Sequence, residues 1–279
     1  MIILSCAGDE TVVTNLVYLS PHLDDVALSC GALIHRQVQA RARILVVTIF
    51  AGPGLRTELS PFATELHAHW GHLTESVAVR REEDERAMRL LGVDHIHLEY
   101  PDAIYRFDDT SFLYLCDEDL LGTLHPSDLE LVPQITEAIR GICSPRQSRV
   151  YAPLAVGNHV DHQLVREAAL ILHRRSHPVT FYEDYPYVEV PGALTRELAK
   201  IGIERWTEEI QDLTEEDLAI KIEAIATYAS QMDKLFHGLD AMAQRVRDYA
   251  LALSSEQRYG ERYWRLSHDA KSDMRKRSK

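Results

Sequence analysis

The chain has 279 residues, 46% hydrophobic and 26% charged, with 13 Gly and 11 Pro, which excludes disordered, collagen-like and low-complexity polymers. Its 30 Lys and Arg face 43 Asp and Glu, a net charge of −13 that repels phosphate backbones and anionic membranes and argues against nucleic-acid binding. Small neutral or cationic partners suit this field better, and composition leaves homo-oligomer formation open.

The N-terminal stretch MIILSCAGDETVVTN carries acids and no basic cluster, and no run approaches the roughly 18 apolar residues of a membrane span. A cytoplasmic chain without a membrane span is the expectation. The four cysteines, Cys6, Cys30, Cys116 and Cys143, form no C-x-x-C pair and predict reduced thiols, not a thiolate metal site. The C-terminal KSDMRKRSK reverses the charge and reads as a solvated tail.

NLVYLS (Asn15 to Ser20) reads as a buried strand, Val26, Cys30, Leu33, Ile34 and Val38 recur at helical spacing, and ILVVTIF (Ile44 to Phe50) is a second strand. Together they form a βαβ unit. The long stretch from Gly52 to Val79, with GPG, His67, His69, Trp70 and His72, is a candidate lid after a strand end. A helix follows over Glu82 to Leu91, stopped by Gly92, then a strand at HIHLEY (His95 to Tyr100). Leu131 to Ile142 predicts a helix and RVYAPL a strand. Leu164, Val165, Ala168, Ala169 and Leu172 predict a helix face, and VTFYED at Val179 a further strand. This alternation predicts an α/β chain with a mostly parallel sheet and helices on both faces over residues 1–190. Residues 191–279 read as a C-terminal helical cap packed on that core, with helices at Glu215 to Phe236 and Ala241 to Ala252, ending in GERYWRL. The whole reads as a single domain.

Two polar segments sit where strands end and helices begin, at the rim where open parallel sheets bind ligands. The first is S-P-H-L-D-D (Ser20 to Asp25), from which His22 and Asp25 can face one ion while Asp24 points toward whatever the ion holds. Two acids there also suit a helix N-terminus, so this motif alone leaves capping open. The second is N-H-V-D-H (Asn158 to His162), where His159 and His162 share a helical turn and Asp161 can accept a ring N–H. Combined, His22, Asp25 and His162 make three N/O ligands with an open water position, the donor set of catalytic zinc. Asp24 then serves as proton acceptor, and His159, oriented by Asp161, as oxyanion or acid partner. The implied reaction is hydrolysis. His95 and His97 remain unassigned.

P-H-L-D-D, R-x-x-E (Arg80, Glu83) before an L-G-V helix end, and H-x-D-H after a later strand together resemble the LmbE-like, or PIG-L, family of zinc-dependent N-acetylglucosaminyl deacetylases. The resemblance runs from about Val17 to Asp184 and implies a Rossmann-like fold, in keeping with the lack of G-x-G-x-x-G. It implies a zinc ion on His22, Asp25 and His162, Asp24 as general base, and His159 with Asp161 at the oxyanion. It implies substrate contacts from Arg80 and from Asp102 in YPDA, for which a helix-surface ion pair with Glu83 and a turn role are the plain alternatives. Gly157 stands where some members carry a tyrosine that assists the oxyanion, so that help either comes from elsewhere, for example Tyr185 or Tyr187 in YEDYPY, or is missing. Tyr263 and Trp264 either line a sugar groove or anchor the cap.

The function implied is removal of an acetyl group from an N-acetylated amino sugar or glycoconjugate. The alternatives are an amide hydrolase on a non-sugar N-acyl metabolite, or a metal-containing sugar-binding protein without catalysis. Asp24 speaks against the last, since a binding module needs no proton acceptor beside its metal.

Overall fold

The computed structural model describes residues 15–54, 56, 58–70, 76–254 and 258–267. The readings made on the N-terminal stretch, Cys6, His72 and the basic tail lie outside these residues. In chain order the first elements are β1 (Asn15–Ser20), α1 (Asp25–Gln39), β2 (Arg43–Thr48), α2 (Pro61–His69), α3 (Ser76–Leu91), β3 (Asp94–His97), α4 (Asp117–Leu120) and α5 (Leu131–Ile142). They are followed by β4 (Ser148–Pro153), α6 (Val160–Arg174), β5 (Val179–Tyr182), α7 (Ala193–Ala199), β6 (Trp206–Leu213), α8 (Glu215–Ala226), α9 (Ala229–Phe236), α10 (Leu239–Ala252) and β7 (Tyr259–Leu266).

The strands form one seven-stranded sheet in the order β3-β2-β1-β4-β5-β7-β6, in which β1 to β5 are parallel and β6 and β7 antiparallel. Strand alternation sends Val17 and Leu19 to one face and Tyr18 to the other, so a single strand feeds both layers of core. Tyr18 stacks on Tyr151 of β4 with centroids 4.2 Å apart, beneath the buried residues of α1, α3 and α8. On the opposite face, α5 and α6 cover Val17, Val47, Val150 and Phe181. The expected mostly parallel α/β sheet with helices on both faces is what the chain builds.

The region past residue 190 departs from the expected purely helical cap. It supplies β6 and β7 as well, with β7 inserted between β5 and β6. Tyr263 and Trp264 therefore anchor this region to the sheet: both are buried, and Trp264 Nε1 donates to Glu183 Oε1 at 2.8 Å. The helix expected over Glu215 to Phe236 is broken into α8 and α9 at Thr227 and Tyr228, where the Thr227 hydroxyl donates to the Glu83 carbonyl and Tyr228 to Asp84. Those two tertiary bonds end α8 without Gly or Pro. α8 itself starts in a capping box, with Thr214 and Asp217 satisfying each other's backbone N–H.

The sheet reverses its winding between β1 and β4: β2 and β3 lie to one side, β5 to the other. This is the switch point, where loops leaving adjacent strand ends diverge and open a crevice. Both polar motifs lie there.

Candidate active site

The turn after β1 is held by Ser20, whose hydroxyl donates to the His22 carbonyl (2.7 Å) and accepts from Val26 N–H (3.2 Å). The His22 backbone N–H donates to Asp25 Oδ2 at 2.8 Å. This compact turn turns the side chains of His22, Asp24 and Asp25 into the crevice, all nearly buried. After β4, Asn158 takes a left-handed conformation (φ 66°), one that Asn tolerates better than most residues. Its amide donates to the Leu121 and Gly122 carbonyls at 2.7 and 2.6 Å, which fixes the entry to α6 and brings His159 and His162 opposite His22.

Each of two imidazoles is gripped from outside by a buried carboxylate. His22 Nε2–H donates to Asp161 Oδ2 (2.8 Å), leaving Nδ1 at 3.3 Å from Asp25 Oδ2. His162 Nδ1–H donates to Asp184 Oδ1 (2.6 Å), leaving Nε2 at 3.2 Å from the same Asp25 oxygen. That Nε2 is buried with no hydrogen-bond partner. Two donor atoms on a tetrahedral zinc, each about 2.0 to 2.1 Å from it, lie about 3.3 Å apart. The spacings, the orphaned nitrogen and the carboxylates behind both rings fit a zinc ion held by His22, Asp25 and His162. The ring nitrogens of His22, His159 and His162 also fall within 4.8 Å of one another, as do donor atoms of His22, Asp102 and Asp161.

Electrostatics follow from crowding acids and imidazoles in a dry crevice. Burial and the Asp25 charge push the Asp24 carboxyl up to about 7, against the pull of Arg80, whose Nη2 is 3.8 Å from Asp24 Oδ2. For Asp25, burial raises the pKa, but the charges and hydrogen bonds of His162 and His22 together outweigh it and keep the group well below the carboxylate range. Burial disfavours protonated His162, yet Asp25 and Asp184 win and lift it to about 9; for His22 the opposing acids are Asp102, Asp161 and Asp25, and it too is raised. His159 goes the other way, lowered by burial and by the neighbouring charge of His22.

The orienting role expected of Asp161 falls on a different ring. Its carboxylate serves His22, the Ala103 N–H (3.0 Å) and Arg106, whereas only its backbone N–H donates to His159 Nδ1 (3.2 Å). Arg106 in turn pairs with Asp128 at 2.9 Å. Since His159 Nδ1 accepts, the neutral ring carries its proton on Nε2. Asp102 lies 3.6 Å from His22 Nε2 and also caps the turn at Ile104, so it combines the turn role with a place in the pocket wall.

A pocket of about 80 Å³ is bounded by His22, Asp24, Asp25, His159, Arg80 and Tyr187. Arg80 lies over the Trp70 ring (4.9 Å) and does not pair with Glu83, which instead accepts from Ser230 N–H and Oγ at the start of α9. The excursion after β2 thus contributes Leu66 and Trp70 to the wall. Of the two candidate tyrosines, only Tyr187 reaches the pocket, edge-on to His162 with centroids 6.2 Å apart. Tyr185 is a correction: it points the other way, buried between Phe236 and Tyr249, against a separate small cavity. Gly157 explains the arrangement. A Cβ there would come within 2.7 Å of the Tyr187 Cβ and Cγ, so the glycine makes room for that ring, and its φ of 93° suits no side chain.

Sequence reasoning missed Asp184, Arg106 and Asp128. Asp184 carried a faint signal, as an acid just past the strand VTFY; Arg106 and Asp128 carried none, because they act only through space. His97, unassigned from sequence, binds Asp84 at 2.8 Å.

The model of the PIG-L family, GlcNAc-PI de-N-acetylase, matches residues 17–173. The chain belongs to this family. Two curated relatives are 2'-N-acetylparomamine deacetylases: one from Niallia circulans, 32% identical over 183 residues, and one from Streptomyces fradiae, 34% identical over 174 residues. Each match covers 61% of this chain, and 66% and 56% of those proteins, so the chain spans two thirds or less of their length. Among solved structures, the zinc inhibited form of teicoplanin deacetylase Orf2 superposes with a TM-score of 0.79 at 30% identity, covering 92% of this chain and all (100%) of that one.

Proposed function

We propose that this protein is a zinc-dependent deacetylase that hydrolyses the N-acetyl group of an amino sugar or of a glycoconjugate bearing one. The observation that carries the reading is the convergence of His22 Nδ1 and His162 Nε2 on one oxygen of Asp25, beside the unusually basic carboxylate of Asp24. The names of the relatives support the reaction class.

In this reading His22, Asp25 and His162 hold the metal. Zinc supplies, when bound, an electrophile for the amide carbonyl and an acidified water. Asp24, buried beside Asp25 with Arg80 near its carboxylate, takes the proton of the attacking water and hands it to the leaving nitrogen. Arg80 keeps Asp24 oriented and limits how far its pKa rises. His159 Nε2–H donates to the oxyanion of the tetrahedral intermediate, a task a neutral ring performs without losing its proton. Tyr187 closes the pocket over His162, and Arg80 and Asp102 bind sugar hydroxyls.

No described helix is long and apolar enough to cross a membrane. A cytoplasmic setting is supported by the unpaired thiols of Cys30, Cys116 and Cys143. The test is release of primary amine from a panel of N-acetylated sugars, with metal content measured in parallel. Amine release that chelation abolishes and zinc restores is the expected result; no release from any sugar contradicts it.

A further inference from the structure

R-x-x-E places Arg80 in the pocket wall and leaves Glu83 without a part in the proposed chemistry. Glu83 is 3% exposed, and both its oxygens accept from Ser230: Oε1 from the backbone N–H at 2.9 Å, Oε2 from the hydroxyl at 2.6 Å. Together with the bonds from Thr227 and Tyr228 to Glu83 and Asp84, they dock the start of α9 on the helix that carries Arg80. From that anchor α9 brings Gln231 and Lys234, one helical turn apart, into the wall of the pocket that holds His22, Asp24 and His159.

The Ser230 hydroxyl fixes which end of the Gln231 amide meets the pocket. A serine hydroxyl has one proton, and here Glu83 takes it. At its 3.0 Å contact with Gln231 the same hydroxyl can only accept, so the amide faces it with Nε2. Oε1 is the end left over, and it accepts no hydrogen bond among the described residues. The Lys234 ammonium has no ion pair or hydrogen bond among them either, whereas Arg80 is engaged by Asp24 at 3.8 Å. α9 therefore offers the pocket one acceptor and one donor. A hydroxyl satisfies both at once, giving its proton to Gln231 Oε1 and accepting from Lys234 Nζ. A carboxylate satisfies only the lysine and faces Asp24, Asp25 and Asp102 in the same pocket.

We propose that Gln231 and Lys234 are specificity-determining residues that read one hydroxyl of the substrate sugar, and that Glu83 is the positioning residue that orients them through Ser230. The inference rests on the deacetylase reading and adds to it the element that recognises the sugar.

The test measures kcat/KM on N-acetylglucosamine and its 3-deoxy, 4-deoxy and 6-deoxy analogues for wild type, Gln231→Leu, Lys234→Met and Glu83→Gln. Wild type should lose about tenfold on one of the deoxy sugars, mainly in KM. Gln231→Leu and Lys234→Met should each lose about as much on the parent sugar, and their discrimination against that deoxy sugar should fall below about threefold, because the hydroxyl and its partners act as one unit. Glu83→Gln should weaken the discrimination likewise: its new amide donates to the Ser230 hydroxyl and releases that proton toward Gln231 Oε1. A variant that merely disturbs the fold loses equally on all four sugars and keeps the wild-type discrimination. That result in Gln231→Leu or Lys234→Met, or a wild type that treats all four sugars alike within about threefold, overturns the proposal and leaves the deacetylase reading standing; in Glu83→Gln it overturns the positioning role. If N-acetylglucosamine releases no amine, calorimetry with glucosamine and its deoxy analogues decides. Wild-type binding that drops about tenfold on loss of one hydroxyl, with no such drop in the variants, supports the pair, and equal drops overturn it. The deacetylase reading fails separately, when no N-acetylated sugar of the wider panel releases amine.

Discussion

The Asp184 carboxylate accepts the Nδ1 proton of His162 at 2.6 Å, and this one contact decides which nitrogen of the ring meets the crevice. With Nδ1 committed, Nε2 is presented to Asp25 without a proton when the ring is neutral, which is what a metal ligand requires.

Replacing Asp184 by Asn keeps an oxygen for the Val156 N–H, which Asp184 Oδ2 now accepts at 2.7 Å, but removes the charge behind the imidazole. Zinc affinity should fall about 10- to 100-fold, as for other carboxylates that support a metal-bound histidine. Competition with a chelator of known affinity measures this. Unchanged affinity would mean that Asp184 merely packs the loop.

Metal binding should expel protons. Without metal, His162 titrates at about 9 and His22 is also raised, so at pH 7 both hold protons that a metal must displace. Apparent affinity therefore rises with pH up to about 9 and falls as pH drops, by roughly tenfold per unit for each proton displaced. Zinc calorimetry at pH 7 in buffers of different ionisation enthalpy counts the protons. A count near zero would show that the imidazoles are already neutral.

Arg106 neutralises two carboxylates in the interior, Asp161 and Asp128, which are 0% and 2% exposed. Burial pushes the Asp161 carboxyl up, but the guanidinium together with His22 and His159 outweighs it and holds the group well below the ordinary range. Arg106→Met leaves both acids buried without their cation and should cost about 3 to 5 kcal/mol in urea unfolding. A loss under about 1 kcal/mol would show that water or a rearranged side chain replaces the cation.

Gly157→Ala should be disproportionately harmful for one methyl group. The new Cβ meets the base of the Tyr187 side chain at 2.7 Å, where a rotamer change gives no relief, and the φ of 93° adds backbone strain. Stability should fall by about 1 to 3 kcal/mol, and kcat should fall because His159 lies two residues on. Thermal unfolding and kinetics on one N-acetylated sugar read both; wild-type values in each would show that the ring and loop separate freely.

Much of this was legible in the sequence where local pattern and burial agree. NLVYLS, RVYAPL and the two rim motifs sit at central strands, so their hydrophobicity is continuous and their polar ends stand out. β6 was not legible: WTEEIQDL faces solvent along much of its length and carries three acids, the composition of an edge strand and easily read as helix. β7 was obscured in the same way by Glu261, Arg262 and Arg265. Asp161 was found, but its partner was misjudged. Sequence proximity favoured His159, whereas the fold brings His22 to 2.8 Å from it across 139 residues.

The most direct measurement of the central claim pairs zinc content with amine release for wild type and Asp24→Asn on the same N-acetylated sugar. About one zinc per chain in both proteins, with turnover reduced roughly 10² to 10⁴-fold in the variant, is the outcome the geometry predicts. Turnover that survives the substitution, in a variant that still holds its zinc, would contradict it.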